Sequence, residues 1–170
     1  VHVRQLVVGK NFRFGRDRTG SSEDLVTFGG ELGFEAHGFE LSGDEQGCYS
    51  SSRIRSFIAA GQLSLATALL GRPHSISGLV VRGDGRGKTL GFATANLDAV
   101  EEQLPPPGVY AGIAQLLDSD GSLLPCPTAI HIGPRPTVNR GETIEAHLLG
   151  QSGDFYGRSL RLHLIERLRA

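Results

Sequence analysis

After residue 72 the chain falls into short segments in which apolar residues recur at every second position. Ile76 to Arg82, Val109 to Leu117, Pro125 to Ile132, Ile144 to Leu149 and Leu160 to Glu166 are rich in β-branched residues or leucine. A period of two collects their apolar side chains on one face of a strand. Asp118-Ser119-Asp120-Gly121-Ser122 joins two of these segments and has the chemistry of a hairpin turn. Gly78, inside one of them, marks a bulge or a close approach of backbone. Short strands joined by turns, with few helices among them, predict a mainly β fold: a small closed or nearly closed antiparallel β-barrel.

The chain before residue 72 is organised differently. Val1 to Val8 alternates like a strand and leads into Gly9-Lys10-Asn11-Phe12-Arg13-Phe14-Gly15, a loop of glycine, charge and aromatics. Ser50-Ser51-Ser52 opens a helical pattern with Ile54, Phe57 and Ile58 on one face. Gly61 is expected to end it, and Ser64 to cap a second short helix through Leu70 that Gly71 and Pro73 close. Arg72 and Pro73 read as a linker, which predicts one unit over 1–72 and another over 73–170.

Composition narrows the function classes. The 170 residues carry 17 Lys and Arg against 18 Asp and Glu, a net charge of −1, with the basic residues dispersed. That leaves no footprint for nucleic acid or an anionic membrane surface. No apolar run approaches a membrane span, and no signal-peptide pattern opens the chain. Cys48 and Cys126 lie far apart without zinc-site spacing and read as small buried thiols of a reducing cytoplasm. The six histidines show no metal-ligand spacing and are expected at the surface or in hydrogen bonds. Val1 at the start, with no Met anywhere, predicts a segment of a longer protein.

The chemistry concentrates in Gly83-Asp84-Gly85-Arg86-Gly87-Lys88-Thr89-Leu90-Gly91-Phe92-Ala93-Thr94-Ala95-Asn96. Closely spaced glycines let backbone N–H groups form an anion-binding concavity, and Arg86 and Lys88 add positive charge there. Thr94 and Asn96 are two residues apart, hence on one side of an extended segment, and offer neutral oxygens suited to a hard cation such as Mg²⁺. Phosphate cradle and cation ligands together read as a nucleoside triphosphate site. The loop is no P-loop, because position 82 is Arg where G-x-x-x-x-G-K-[ST] needs glycine, and no helical period follows. A dinucleotide G-x-G-x-x-G fails as well. Taken alone, the segment is equally a glycine hairpin between two strands.

From Leu70 to Arg169 the chain resembles a riboflavin kinase module, whose motifs occur here in order. They are Gly91 to Asn96, Leu104-Pro105 with Gly108-Val109-Tyr110, Ile132 to Thr137, Ile144 to His147, and Asp154 to Gly157. The first portion resembles the end of the FMN adenylyltransferase module of bacterial bifunctional FAD synthetases. The matching residues are Gly9 to Gly15, Arg18, Gly20 and Ser50 to Arg55. The resemblance implies an incomplete α/β nucleotidyltransferase remnant over 1–72 followed by a kinase barrel over 73–170 that is truncated at its C-terminal end. Ala93 stands where the family has proline, which loosens that segment, and His131 where asparagine is usual. The family's upstream histidine-containing nucleotide motif has no counterpart in this sequence. The family also continues beyond Leu168-Arg169 into a segment with a helix that flanks the flavin site.

The implied reaction moves the γ-phosphoryl group of ATP to the terminal ribityl hydroxyl of riboflavin, giving FMN. In that reading Gly83, Gly85, Arg86, Gly87, Lys88 and Gly91 hold the nucleotide, and Thr94 and Asn96 serve Mg²⁺. Glu145 is the base, and period two turns it with His147 away from Ile144, Ala146 and Leu148. Asn11, Ser51, Ser52 and Arg55 belong to the adenylyltransferase remnant. Tyr156-Gly157 reads as a turn with a packed aromatic or as a flavin contact; no other flavin contact is assigned. The competing readings are FMN adenylyltransferase activity in a full-length bifunctional parent and a flavin- or nucleotide-binding fragment without turnover. The partners implied are riboflavin, FMN and ATP, in the cytoplasm.

Overall fold

The computed structural model describes residues 2–83, 94–98, 100–117, 125–134, 142–153 and 155–170. The chain divides into two compact units, Val1–Ser50 and Ser51–Ala170.

The first unit is a βαβ element. Strands β1 (Gln5–Gly9) and β4 (Glu35–Phe39) pair in parallel, Gln5 with Glu35 through Gly9 with Phe39. Between them come β2 (Arg13–Phe14), paired with β3 (Gly20–Ser21), and helix α1 (Ser22–Leu32). A parallel pair requires such a crossover. The helix starts at a capping box: Ser21 Oγ accepts from the Asp24 N–H at 3.3 Å, while the Ser21 N–H donates to Asp24 Oδ2 at 2.7 Å. It stops at Gly33, left-handed at φ 78°. Strands β5 (Gly43–Asp44) and β6 (Gly47–Cys48) form a small hairpin. Cys48 lies exposed on it, contrary to the buried thiol expected, whereas Cys126 is buried. Two-residue strands have no interior in which to hide a side chain.

The second unit opens with α2 (Ser51–Ala59) and α3 (Leu63–Leu70). Gly61 at φ 73° turns the chain between them, and Gly71 at φ 68° caps α3. The cap residue at the start of α3 is Gln62, which makes no side-chain cap bond, so Ser64 falls inside the helix.

Six strands then close into a barrel. They are β7 (His74–Val81), β8 (Thr94–Asp98), β9 (Gly108–Leu116), β10 (Cys126–Pro134), β11 (Glu142–Leu148) and β12 (Ser159–Arg169). Their order around the barrel is β10-β11-β8-β7-β12-β9, every pair antiparallel. The longest, β12, bends through irregularities at Leu164/Glu166 and Arg167/Arg169 as it pairs with both β7 and β9. Gly78 is a close approach, not a bulge: a Cβ there would lie 2.6 Å from the Asp98 carbonyl oxygen.

Alternation fills the inside. Ile76, Val80, Leu97, Ile130, Ile132, Ile144, Leu160, Leu162 and Leu164 all point inward with Tyr110, and Leu63 of α3 joins the same cluster. Tyr110 donates its hydroxyl proton to the Pro106 carbonyl, so its buried ring carries no unpaired polar tip. A core this apolar loses about 2–5 kcal/mol for one Leu-to-Ala truncation. The interior is packed, which leaves the outer wall and the ends for any ligand.

Candidate functional site on the outer barrel wall

Inward apolar residues fix which side chains face out. In β8, Ala95 and Leu97 are buried, so Thr94 and Asn96 share the outer side, each half-buried. In β11, Ile144, Ala146 and Leu148 are buried, so Glu145 and His147 face outward, Glu145 exposed and His147 half-buried. The sidedness expected from period two is therefore observed for all four.

The strand register brings these residues together. Asn96 pairs with Glu145, and Thr94 with His147. Across the next ladder Glu145 pairs with His131, while Asn96 pairs on its other side with Val81. The outer wall thus carries one lateral row, Val81, Asn96, Glu145, His131, with Thr94 and His147 in the row beside it. Directly opposed side chains in an antiparallel pair have Cβ atoms about 5 Å apart. A carboxamide, a hydroxyl, a carboxylate and two imidazoles accordingly lie within reach of one ligand.

Two contacts hold the row in place. The Thr128 hydroxyl, buried, donates to the His147 carbonyl at 2.8 Å and ties β10 to β11 beside Glu145. At the other end of the row, Gly83 leaves no room above Asn96: a Cβ on Gly83 would lie 2.2 Å from Asn96 Nδ2 and 2.7 Å from Oδ1. A side chain at 83 would displace the Asn96 carboxamide, a reason for glycine separate from anion binding. His131 likewise lies over Gly133, where a Cβ would come 2.8 Å from its ring.

Of the residues expected to hold nucleotide, Gly83 lies at the end of β7 against Asn96. Gly85, Arg86, Gly87, Lys88 and Gly91 lie outside the described residues, as do Ala93 and the turn Asp118 to Ser122. The oxygen set of Thr94 and Asn96 suits a hard divalent cation: both oxygens are neutral, on one face, and next to the Glu145 carboxylate. Asn11 sits in an exposed turn of the first unit, beside Gly9, whose hypothetical Cβ would be 3.0 Å from Asn11 Oδ1. Ser51, Ser52 and Arg55 lie on α2 of the second unit, all exposed.

Sequence reasoning did not anticipate that Arg82 would stack over Tyr156, its guanidinium carbon 5.5 Å from the ring centroid. Tyr156 packs partly buried against the core, in a turn with Gly157 at φ 76°. Nor was the pairing of His131 with Glu145 legible before the register was known. Among the other histidines, His74 is buried with Nε2 2.8 Å from the Gln103 carbonyl oxygen, and His163 Nε2 is 3.1 Å from Gln115 Oε1. Burial, chiefly, holds the pKa of each below the ordinary histidine value.

The outer-wall row can be set beside known proteins. The bifunctional riboflavin kinase/FMN adenylyltransferase of Escherichia coli K12 is 38% identical over 170 residues, which is 99% of this chain and 53% of that protein. The Bacillus subtilis protein of the same description is 31% identical over 176 residues, 100% of this chain and 54% of that protein. The chain thus spans about half the length of the curated relatives it matches. A crystal structure described as a macrolide-efflux protein from Streptococcus pneumoniae superimposes with a TM-score of 0.75 at 29% identity. It covers 95% of this chain and 51% of the other. The efflux description concerns that protein; no helix among the residues described here is long and apolar enough to cross a membrane. Residues 70–170, which contain the whole barrel and every residue of the row, match the family model described as flavokinase, riboflavin kinase. With that match over more than half of its length, the chain belongs to the riboflavin kinase family.

Proposed function

We propose that the outer-wall row of the barrel is where this chain phosphorylates riboflavin to FMN with ATP, the reaction of its family. Glu145 accepts the proton of the terminal ribityl hydroxyl. That oxygen forms a bond to the γ-phosphorus as the bond from phosphorus to the ADP oxygen breaks. Thr94 and Asn96 hold Mg²⁺ on the same wall; the ion, when bound, offsets phosphate charge. The glycine segment from Gly83 to Gly91 cradles the phosphates. Such chemistry depends mainly on positioning and charge neutralisation, and a closed barrel supplies a rigid wall for both. The observation that carries this reading is the pairing of Asn96 with Glu145, which puts an oxygen donor and a candidate base side by side.

The test is to incubate the chain with riboflavin and Mg-ATP and to resolve riboflavin, FMN and FAD. FMN alone is the expected product. No product, with flavin or nucleotide still bound, would favour a binding fragment.

A second reading concerns the longer protein. The curated relatives named above are bifunctional, and the first unit is a βαβ element that carries Asn11. We therefore assign 1–72 to the end of an FMN adenylyltransferase module and 73–170 to the kinase, in a cytoplasmic enzyme. FAD in the same assay would implicate Asn11, Ser51, Ser52 and Arg55 in this chain itself.

A further inference from the structure

We propose that the barrel wall made by β7, β12 and β9 carries a second anion site, which takes a phosphate or diphosphate group between Arg72 and Arg161. The site is independent of the kinase reading. In the closed strand order β12 lies across the barrel from β11, so this wall faces away from the row of Asn96, Glu145 and His131.

Alternation again sets what faces out. Ile76, Ala114, Leu160, Leu162 and Leu164 are buried, so Ser75, Ser77, Ile113, Gln115, Arg161 and His163 share the outer side. Register places Arg161 between Ser77 and Gln115, and His163 between Ser75 and Ile113. Hydrogen bonds then hold both guanidiniums. Arg161 Nε donates to Ser77 Oγ at 3.3 Å. Arg72 Nη1 donates to Ser75 Oγ at 3.4 Å and to the Pro73 carbonyl at 3.3 Å. His163 Nε2 lies 3.1 Å from Gln115 Oε1.

The two hydroxyls that anchor the arginines are two residues apart on one strand, roughly 7 Å. Two cations are therefore held side by side, and an anion between them offsets their repulsion. Arg161 keeps both Nη groups for a ligand and Arg72 keeps Nε and Nη2, donors whose planar forks suit phosphate oxygens. Among the described residues neither arginine forms an ion pair, and Glu166, one row beyond His163 opposite Ala111, bridges neither. Helix α3, which packs against β12 and β7, carries no titratable side chain. His163 senses both cations: after burial, Arg161 and then Arg72 hold its pKa below the ordinary histidine value.

The test follows the His163 ring by NMR on the whole chain, assigned with His163→Gln, at fixed ionic strength so that screening stays constant. Pyrophosphate should move its signals saturably and raise its pKa, because a bound anion favours the protonated ring. Arg72→Gln and Arg161→Gln should each weaken pyrophosphate about tenfold or more, the share of one charge-assisted contact. Arg161→Lys should fall between, since it keeps the charge and loses the fork. Arg72 is exposed, so Arg72→Gln should keep the thermal midpoint, and its loss is then one of binding. ADP identifies the source: a matching response of His163 assigns the site to nucleoside diphosphates, and a response to pyrophosphate alone assigns it to the free anion. No saturable response of His163 to either, or unchanged affinity in both arginine variants, would overturn the proposal. A chain that binds pyrophosphate here yet makes no FMN would sink the kinase reading and leave this site standing.

Discussion

The backbone of Gly83 lies against the carboxamide of Asn96 so closely that any Cβ at position 83 would stand 2.2 Å from Asn96 Nδ2. Asn96 is a short side chain with two free torsions, so it can rotate aside without disturbing the ladder to Glu145. Gly83→Ala should therefore leave the thermal midpoint nearly intact while raising the Mg-ATP requirement, by displacing the amide from the row. In an Asn96→Ala background the same change should cost nothing more, because residues sharing a contact are not additive. A full additional loss in the double variant would place the role of Gly83 elsewhere.

Glu145 is exposed and its neighbours in β11 carry the core, so its substitution tests chemistry with little effect on folding. Glu145→Gln should keep ADP affinity and lower turnover on the order of 10²–10⁴-fold, the usual share of a general base. Single-turnover kinetics at saturating riboflavin provide the measurement. A loss under tenfold would assign Glu145 to orienting the hydroxyl, consistent with a loose transition state that needs little proton transfer.

Thr94 and Asn96 present one oxygen each to the same side of β8. Thr94→Val keeps shape and removes the hydroxyl; Asn96→Leu keeps bulk and removes the carboxamide. Both variants should shift the Mg²⁺ concentration for half-maximal rate upward, with excess Mg²⁺ restoring part of the loss. An unchanged Mg²⁺ titration would mean that these side chains shape the segment and do not hold the ion.

The barrel strands were legible because each buries one face and exposes the other. Ile144, Ala146 and Leu148 alternate with Glu145 and His147, and nothing except a half-buried strand satisfies that pattern. The helix α1 was not legible: Gly29 and Gly30 interrupt its apolar period, although Ser21 and Asp24 carry the signature of its capping box. Gly29 is there because a Cβ would meet the Phe34 carbonyl oxygen at 2.4 Å, a tertiary reason that no local propensity records. The site divides in the same way. That Thr94 and Asn96 share a side follows from spacing, but that the side is opposite Glu145, beside His131, depends on register between strands almost fifty residues apart. Period two gives sidedness for each strand alone and is silent on which strands meet. The stack of Arg82 on Tyr156 depends on barrel closure, and closure is a property of the whole sheet.

His74 sets a test of stability by pH. Its ring is buried at the start of β7 and Nε2 lies 2.8 Å from the Gln103 carbonyl, which can only accept, so Nε2 carries a proton. Burial is the largest influence and holds its folded pKa below the ordinary histidine value of 6.5; the Gln103 bond and Glu102 oppose this, and Arg72 reinforces it. The unfolded chain therefore binds more protons as pH drops below the unfolded value, and stability must fall there. The contribution is intact above about pH 6.5 and is lost on acidification toward the lower folded value. His163 shifts in the same direction, from burial first and then from Arg161 and Arg72, so its effect has to be separated. His74→Gln keeps an N–H for Gln103 and removes the titration. Between about pH 7.5 and pH 5.5, above the range where most carboxylates protonate, the urea midpoint of the unmodified chain should fall more steeply than that of His74→Gln. His163→Gln should remove only its own share. Parallel pH profiles for the unmodified chain and His74→Gln would show that the buried ring tolerates its proton, and that the acid sensitivity of this barrel arises elsewhere.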